Sequence, residues 1–589
     1  MESFRKFRSI NQTFWHQWWS FGQILIIVDI LINLVFVPLL RVLTEFILDL
    51  NNIAYISYTN ILKLLLDKPW AILELLILLL LILMIVFMQF SVIFISYRAI
   101  RSEVGLGWKL YLRELKRMVW PIPFKTFGFF LLYFLLILPF SGIGLYTPLL
   151  DKVQVPQFIT DWLFQEHLPW GILLMVIYTL ILYIGVRWIF VLPEMIFDQR
   201  GARVAIRHSW RITKHHTWHY VIYIAILTII VSLLSTILFF VLIGLQWLLD
   251  FIPAIAKSAA IVNLTLIQII NATAGYYFTA MIALLMISKL PDLSIPAAEK
   301  KPNRRWPWFL ILGIAVFGFA TYGGLYFNNL LMEKPVTVSH RGVDDHNGVQ
   351  NTISALKTTA KEKPDYIEMD VQETKDHKFI VLHDNTLKNL AGINKGPKDL
   401  TLAQLKKIRV YENGQSENLA SFSDYLKQAN KLDQKLLVEF KRTPSTKADF
   451  VDEFSKKYGK DLEKNHAMIH SLDYNFIQDS RKQMPKIPAN YILSFNLSGV
   501  PRSKATSFTM EATTLNDTFI EEAHFERKKV YAWTVNDPDT MDKMMFIDTD
   551  GIVTDNLTTL QKEITKNFDS KSYATRMLNY LITLQDPTK

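Results

Sequence analysis

The feature that most constrains this chain is a series of seven apolar stretches in its first half. They cover residues 22–48, 70–97, 125–147, 170–194, 219–247, 259–287 and 308–329. A helix that crosses a bilayer needs about 20 consecutive, mainly apolar residues, and each stretch meets that length. The first stretch is too long for a cleavable signal peptide, and no small-residue cleavage site follows it. We therefore predict that residues 1–330 form a multi-pass α-helical membrane domain of about seven spans.

Lysine and arginine cluster in alternate connections between these stretches, which predicts how the chain is oriented. Basic residues precede the first stretch and fill the connections after the second, fourth and sixth, for example Arg98, Arg113, Arg207 and Arg304. Cytoplasmic connections carry the excess of Lys and Arg. We expect the N-terminus in the cytoplasm and everything after the seventh span outside the plasma membrane. The net charge of +10 is thus a topology signal, and no nucleic-acid partner is expected.

After the last stretch the sequence changes to mixed charges and short apolar runs. Eight strand-like runs cover 337–342, 366–371, 436–441, 467–473, 490–495, 507–512, 530–535 and 551–556, and 379–384 follows the second as a hairpin partner. Helical patterns separate them, and this alternation predicts an α/β TIM (β/α)8 barrel with its site at the C-terminal ends of the strands. No Gly-rich dinucleotide fingerprint follows the first strand, which argues against an open doubly wound sheet. We predict that residues 331–589 form this barrel as an extracytoplasmic domain.

Polar side chains stand at the ends of the predicted strands, where closure of a barrel would gather them at one mouth. They are His340, Arg341, Glu368, Asp370, His383, Glu439, Lys441, Trp533, Asn536 and Asp555. Glu368 and Asp370 lie two residues apart on one strand and therefore point to the same side of the sheet. With Glu439 they offer three carboxylates in a chain without cysteine, which favours Ca²⁺ or Mg²⁺ bound through oxygen.

The remaining polar residues suit chemistry on a phosphate. Arg341 and Lys441 supply fixed positive charge beside the metal, and such charge stabilises the negative charge that develops on a phosphate. His340 and His383 suit a general base and a general acid near neutral pH. The set as a whole predicts metal-assisted cleavage of a phosphodiester.

The segments "SHRG", "YIEMDVQET", "VLHD", "LLVEFK", "YAWTVN" and "DGIVTD" together resemble the glycerophosphodiester phosphodiesterase family over residues 335–560. The resemblance implies a TIM barrel that hydrolyses glycerophosphodiesters to glycerol 3-phosphate and an alcohol. It implies His340 and His383 as the acid–base pair, Arg341 as a phosphate contact, and the three carboxylates as metal ligands. We expect Ca²⁺ ahead of Mg²⁺, and Lys441, Trp533 and Asn536 as further substrate contacts. The first half resembles the membrane domain of some bacterial members through "VRWIFVLPEMIFDQRGARVAIRHSW", residues 186–210.

Gln350 is a departure from that pattern. Where the family usually has Glu-Asn-Thr after the first strand, this chain has Gln350, Asn351 and Thr352. The lost charge leaves open an alternative function, a catalytically silent barrel that binds glycerol-phosphate polymers or lipids. We expect activity, because all the acid–base and metal positions are present. Candidate substrates are deacylated phospholipids, lysophospholipids at the membrane surface, and surface glycerol-phosphate polymers such as lipoteichoic acid.

Overall fold

The structure is a computed structural model of the 589-residue chain. It describes all residues except 1, 54, 57–59, 103–115, 117–126, 138–144, 146, 151–158, 160–162, 164–166, 198–200, 291–305, 444–445, 495, 497–498, 571 and 585–589. The chain divides into two compact units. The first consists mainly of Met1–Asn52 and Lys63–Gly324, and the second mainly of Ile53–Leu62 and Leu325–Pro587.

The first unit is helical throughout its described part. Its helices are α1 (Glu2–His16), α2 (Trp18–Leu31), α3 (Val37–Leu50), α4 (Ile61–Asp67, which begins in the second unit), α5 (Pro69–Arg101), α6 (Phe127–Leu132), α7 (Leu168–Arg187), α8 (Val191–Phe197), α9 (Ala202–Thr213), α10 (Thr217–Leu249), α11 (Pro253–Ile287) and α12 (Trp306–Phe327). Single π-helical turns at Ile32–Phe36 and Tyr133–Ile137 continue α2 and α6.

Six predicted membrane spans are confirmed within the described residues, as long apolar helical segments. They are Trp18–Leu50, Pro69–Arg101, Leu168–Phe197, Thr217–Leu249, Pro253–Ile287 and Trp306–Phe327. Of the predicted span 125–147, the structure describes chiefly α6 and the turn after it, and the rest lies outside the described residues. Large apolar side chains remain exposed on the outer faces, such as Leu34 at 72% and Phe317 at 74%. Exposed apolar surface of this kind is typical of helices that face lipid.

A buried arginine joins three helices of this unit. The Arg187 side chain, only 2% exposed at the end of α7, stacks over the Trp210 ring of α9 at 4.3 Å. Its guanidinium donates to the Trp210 carbonyl oxygen at 2.6 Å and to Thr217 Oγ1, on α10, at 3.0 Å. A planar, always charged side chain can satisfy such a fork of acceptors, and Lys cannot.

The second unit contains a closed barrel of eight parallel strands, which confirms the predicted fold. The strands are β1 (Val336–Ser339), β2 (Tyr366–Glu373), β6 (Leu436–Phe440), β7 (Met468–Ser471), β8 (Ala489–Leu493), β9 (Ser507–Glu511), β10 (Lys529–Trp533) and β11 (Gly551–Thr554). Closure comes from β1, which pairs with β2 on one side and with β11 on the other. The short strand β3 (Phe379–Val381) pairs antiparallel with β2, as the predicted hairpin requires.

Helices cover the barrel from outside. They are α13 (Ile353–Thr359), α14 (Lys388–Ala391), α15 (Leu402–Leu405), α16 (Phe422–Lys431), α17 (Phe450–Asn465), α18 (Tyr474–Gln483), α19 (Asp517–Phe525), α20 (Pro538–Phe546), α21 (Leu557–Ile564) and α22 (Tyr573–Leu584). One-turn helical segments lie at His340–Gly342, Ala360–Glu362, Ala512–Thr514 and Thr565–Asp569. Side chains alternate along the strands, so one set packs under the helices and the other fills the barrel. Val338, Leu437, Met468, Tyr531 and Val553 form an apolar cluster on the interior set.

A two-stranded hairpin that the sequence analysis did not predict lies between β3 and α16. It consists of β4 (Arg409–Glu412) and β5 (Gln415–Asn418), paired antiparallel. Asn413 and Gly414 form its turn with φ angles of 53° and 71°. An Asn-Gly pair with both residues at positive φ is the preferred two-residue hairpin turn.

Candidate active site

The segment His340–Gly342 makes a tight turn at the C-terminal end of β1. Gly342 has φ of 71°, and a Cβ atom there would lie 2.9 Å from the buried Tyr425 hydroxyl. Only glycine combines this backbone conformation with so close an approach. Arg341 also has positive φ, 51°, and its backbone N–H donates to Glu368 Oε2 at 2.7 Å. The turn therefore fixes His340 and Arg341 against a carboxylate of the neighbouring strand β2.

His340 is held by a carboxylate from the last strand of the barrel. Its Nδ1 lies 2.8 Å from Asp555 Oδ1, and Asn536 Nδ2 donates to Asp555 Oδ2 at 2.8 Å. Trp533 Nε1 lies 3.4 Å from His340 Nε2. Burial lowers the pKa of His340, whereas the Asp555 carboxylate and, less strongly, Glu368 raise it, so the net pKa is above its ordinary value. Burial likewise raises the pKa of Asp555, and the nearby His340 brings it down to about 2.

His383 lies on the loop after β3 and is oriented by its neighbour. Its Nδ1 lies 2.8 Å from Asp384 Oδ1, and Asn389 Nδ2 donates to the other Asp384 oxygen at 3.0 Å. The hydrogen bond from His383 lowers the pKa of Asp384 below its usual range. Gln372, buried at the end of β2, donates its amide to the carbonyl oxygens of residues 382, 383 and 384 at 2.8–3.0 Å. The loop that carries His383 is therefore anchored to the barrel.

Asp370 and Lys441 form a buried ion pair at the mouth. Lys441 Nζ lies 3.1 Å from Asp370 Oδ1 and 2.7 Å from Glu439 Oε1. Asn351 Nδ2 donates to the second Asp370 oxygen at 2.7 Å, and Arg341 Nε approaches that oxygen at 4.0 Å. Burial raises the pKa of Asp370, but Lys441, His383 and Arg341 lower it far more, so Asp370 is ionised. Burial lowers the pKa of Lys441, and the two carboxylates raise it above its ordinary value.

A second group of donors lies beside this ion pair. Glu368, Glu439 and His470 are all buried, and one potential ligand atom of each lies within 4.8 Å of the others. Within the described part of the chain, Glu368 Oε1 and both ring nitrogens of His470 have no hydrogen-bond partner. Buried polar atoms are almost always satisfied. Two carboxylates and an imidazole are metal-ligand types, so these residues fit a divalent cation by chemistry as well as by position.

Gln350 connects Arg341 to the hairpin. Arg341 Nη1 donates to Gln350 Oε1 at 2.7 Å, while Gln350 Nε2 donates to Glu412 Oε1 at 2.6 Å. The Gln350 backbone N–H donates to the other Glu412 oxygen at 2.8 Å. Since a carboxylate accepts only, Glu412 fixes which end of the amide faces Arg341. Gln350 lacks a negative charge, and Glu412 supplies one as the next side chain in this hydrogen-bonded link from Arg341.

The structure brings together the residues that the sequence analysis selected. His340, Arg341, Glu368, Asp370, His383, Glu439, Lys441 and Trp533 lie at one mouth of the barrel. Asn536 contacts Asp555, behind His340, through two hydrogen bonds, and its Oδ1 also accepts from Thr554 Oγ1. Asp370 is engaged by Lys441 and Asn351, and His470 stands nearer the other two carboxylates.

Three functional candidates received no role in the sequence analysis. Asp555 follows the last predicted strand in "DGIVTDN", and His470 lies within the predicted strand "AMIHSLD". The signal for Asp555 was an acid directly after a barrel strand, and the signal for His470 was a polar residue at an inward position of a strand. Glu412 belongs to the unpredicted hairpin, for which Asn413-Gly414 was the available signal.

A TIM barrel whose mouth joins two carboxylate-held histidines, fixed cations and a metal-ligand group is typical of phosphodiester hydrolysis. Family comparison agrees with that class. Residues 7–322 match the membrane domain of glycerophosphoryl diester phosphodiesterase, and residues 340–559 match the glycerophosphoryl diester phosphodiesterase family. The chain belongs to this family, in the form that carries the membrane domain, and is a phosphodiesterase that acts on glycerophosphodiesters.

Individual relatives cover the barrel. A glycerophosphodiester phosphodiesterase of Caldanaerobacter subterraneus subsp. tengcongensis is 26% identical over 238 residues, 38% of this chain and 96% of the relative. One from Bacillus subtilis (strain 168) is 38% identical over 110 residues, 18% of this chain and 37% of the relative. Among solved structures, an Oleispira antarctica phosphodiesterase in complex with the product sn-glycerol-3-phosphate is 17% identical, with a TM-score of 0.36, covering 40% of this chain and 97% of that one.

Proposed function

We propose that this protein hydrolyses glycerophosphodiesters in a cation-dependent reaction, with His340 and His383 as the acid–base pair and its barrel outside the plasma membrane. The observation that carries the proposal is the geometry of the mouth. Two imidazoles, each held through Nδ1 by a carboxylate, stand with Arg341 and Lys441 around a group of metal-ligand atoms without hydrogen bonds.

His340 is proposed as the general base and His383 as the general acid. In His340, Nδ1–H donates to Asp555, so Nε2 is the nitrogen left to take a proton from the attacking hydroxyl. In His383, the hydrogen bond from Nδ1 to Asp384 directs Nε2 away from that carboxylate, where it can protonate the leaving alkoxide. The raised pKa of His340 keeps the abstracted proton on the ring until the bond to the leaving group breaks.

The phosphate is proposed to bind between Arg341 and Lys441. Both side chains are partly buried and held by carboxylates or amides, so their charges are fixed before the substrate arrives. Glu368, Asp370 and Glu439 are proposed to hold the divalent cation, and Asp370 also pairs with Lys441 beside them. A cation bound there supplies positive charge next to the phosphate. The preference for Ca²⁺ over Mg²⁺ expected from three carboxylates stays a prediction.

The proposed substrates are deacylated or lyso-phospholipids, or surface glycerol-phosphate polymers such as lipoteichoic acid. What supports them is family membership, together with the predicted topology that places the barrel at the outer membrane surface. Membrane lipids are proposed partners of the first unit.

The test uses the full-length protein in detergent. We expect release of glycerol 3-phosphate from glycerophosphocholine, lysophosphatidylglycerol or a glycerol-phosphate polymer, abolished by a chelator and by His383→Ala. Turnover that survives both treatments would contradict the proposed mechanism. Because the chain has no cysteine, single substitutions test the topology. An impermeant maleimide added to intact cells should label Lys361→Cys on the barrel and leave Arg207→Cys unlabelled, and the reverse pattern would refute the outer location.

A further inference from the structure

His470 occupies an unusual position for a buried imidazole. It lies on β7, is 1% exposed, and its register partner on β6 is Glu439. Its Nε2 is 3.5 Å from Glu368 Oε1, which is longer than the usual 2.7–3.2 Å of an N–H···O hydrogen bond. Neither ring nitrogen has another hydrogen-bond partner in the described part of the chain. An imidazole buried without partners costs about 1–3 kcal/mol, so something that the protein atoms do not provide should satisfy it.

The neighbouring carboxylates point to what that is. Glu368 uses Oε2 to accept the Arg341 N–H and leaves Oε1, the oxygen nearer His470, without a hydrogen bond. Glu439 shares one oxygen with Lys441. Asp370 has one oxygen bonded by Asn351, and its Oδ1 lies 3.1 Å from Lys441 Nζ but has no hydrogen-bond partner among the described residues. The buried atoms without a hydrogen bond in this group of described residues therefore include an imidazole as well as carboxylate oxygens.

We propose that His470 is a ligand of the divalent cation and that, with Glu368 and Glu439, it forms a mixed nitrogen–oxygen site. Ca²⁺ and Mg²⁺ prefer ligand sets made of oxygen, whereas imidazole suits first-row transition metals. The site should therefore prefer a first-row transition metal over Ca²⁺ and Mg²⁺, contrary to the preference expected from the sequence, and Mn²⁺ serves as the paramagnetic probe of that class. This inference rests on the proposed cation-dependent function and specifies its cofactor.

The test measures metal binding directly on the full-length protein in detergent, stripped with a chelator and titrated with Mn²⁺. Free Mn²⁺ measured by electron paramagnetic resonance gives the dissociation constant, and pulsed spectra of the bound ion report nitrogen coupling. We expect nitrogen coupling in the wild type, and a change in its frequencies when histidine is labelled selectively with ¹⁵N. That measurement needs no substitution, so it does not depend on the folding of a variant.

Two variants then assign the coupled nitrogen. His470→Gln should abolish the coupling and weaken Mn²⁺ binding at least about tenfold, as loss of a metal-site partner does. His524→Gln is the matched control, because His524 also pairs with a carboxylate, Asp550, but on the residue before β11 at the opposite end of the strands. It should keep both the coupling and the affinity.

The outcomes separate this inference from the proposed function. Absent nitrogen coupling in the wild type, coupling that persists in His470→Gln, or tighter binding of Ca²⁺ than of Mn²⁺ would each overturn the role of His470. Nitrogen-coupled Mn²⁺ binding without turnover would uphold His470 and refute the proposed reaction. Chelator-sensitive turnover without nitrogen coupling would uphold the proposed reaction and refute the role of His470.

Discussion

The link from Arg341 through Gln350 to Glu412 predicts that Gln350→Glu lowers activity, even though it restores the residue that the family usually carries. The substitution replaces an N–H donor, 2.6 Å from Glu412 Oε1, with a carboxylate oxygen. Two ionised carboxylates would then face each other beside Arg341, the proposed phosphate contact. Glu412→Gln supplies the converse change, since it replaces the accepting carboxylate with an amide.

The structure sets the size of the effect. At 2.6 Å two unit charges repel by about 6 kcal/mol at an effective dielectric constant of about 20. Proton uptake limits that cost, because raising a Glu pKa from about 4.3 to about 7 takes about 4 kcal/mol. A charged hydrogen bond to Arg341 returns about 2 kcal/mol. The net loss of about 2 kcal/mol corresponds to a fall in kcat/KM of about 30-fold.

A double-mutant cycle on the full-length protein checks the reasoning, with glycerol 3-phosphate release as the assay. Glu412→Gln should cost about fivefold, and the combined Q350E/E412Q variant should return to within about threefold of the wild type, because one acid and one amide again face each other. Gln415→Glu is the control, since Gln415 lies on the same hairpin and donates to the Asn347 carbonyl oxygen instead. Additive losses in the double variant, or a gain in Gln350→Glu, would refute the link.

Three further predictions concern pH and stability. Asp555→Asn removes the group that raises the pKa of His340, so the acidic limb of the kcat/KM profile should move to lower pH while the plateau falls; an unmoved limb would exclude His340 as the titrating base. Burial raises the pKa of Asp542 to about 6 in the folded protein. Because the folded protein then binds the Asp542 proton more tightly than the unfolded chain does, the free energy of unfolding falls as the pH rises from about 4 to 6. Asp542→Asn should therefore raise the free energy of unfolding at pH 8 by about 1–2 kcal/mol and have no such effect at pH 4, as thermal melts at the two pH values would show. Arg187→Lys loses the stacking on the Trp210 ring and the fork of donors, so it should lower the melting temperature in detergent by the equivalent of about 1–3 kcal/mol. An unchanged melting temperature would contradict the proposal that Arg187 joins the three helices.

The barrel strands were predictable because apolar runs of strand length recur at regular intervals, and the paired acids Glu368 and Asp370 interrupt one of them. The hairpin β4–β5 was missed because its strands are polar and mostly exposed, so no apolar alternation marked them. Its Asn-Gly turn was a local signal for a hairpin, but neither composition nor hydrophobic periodicity detects such a turn. The contacts of Glu412 with Gln350 depend on the tertiary fold.

His470 and Asp555 show a different limit. Each stands on or next to a predicted strand, but a lone polar residue there is as compatible with a structural hydrogen bond as with chemistry. What distinguishes them is a partner far away in sequence: Glu368 for His470, and His340 for Asp555. The register between strands brings those partners together, and a single sequence does not specify it residue by residue.

The pairing of β1 with β11 has a consequence for the order of events during synthesis. Val336 pairs with Gly551, so the first strand stays unpaired on one side until more than two hundred later residues have been made. Contacts of such sequence separation form late and slowly. His340 acquires Asp555 only in that same step. His340, the proposed base, therefore acquires its carboxylate last, and we expect a nascent chain to stay catalytically inert until its final strand is in place.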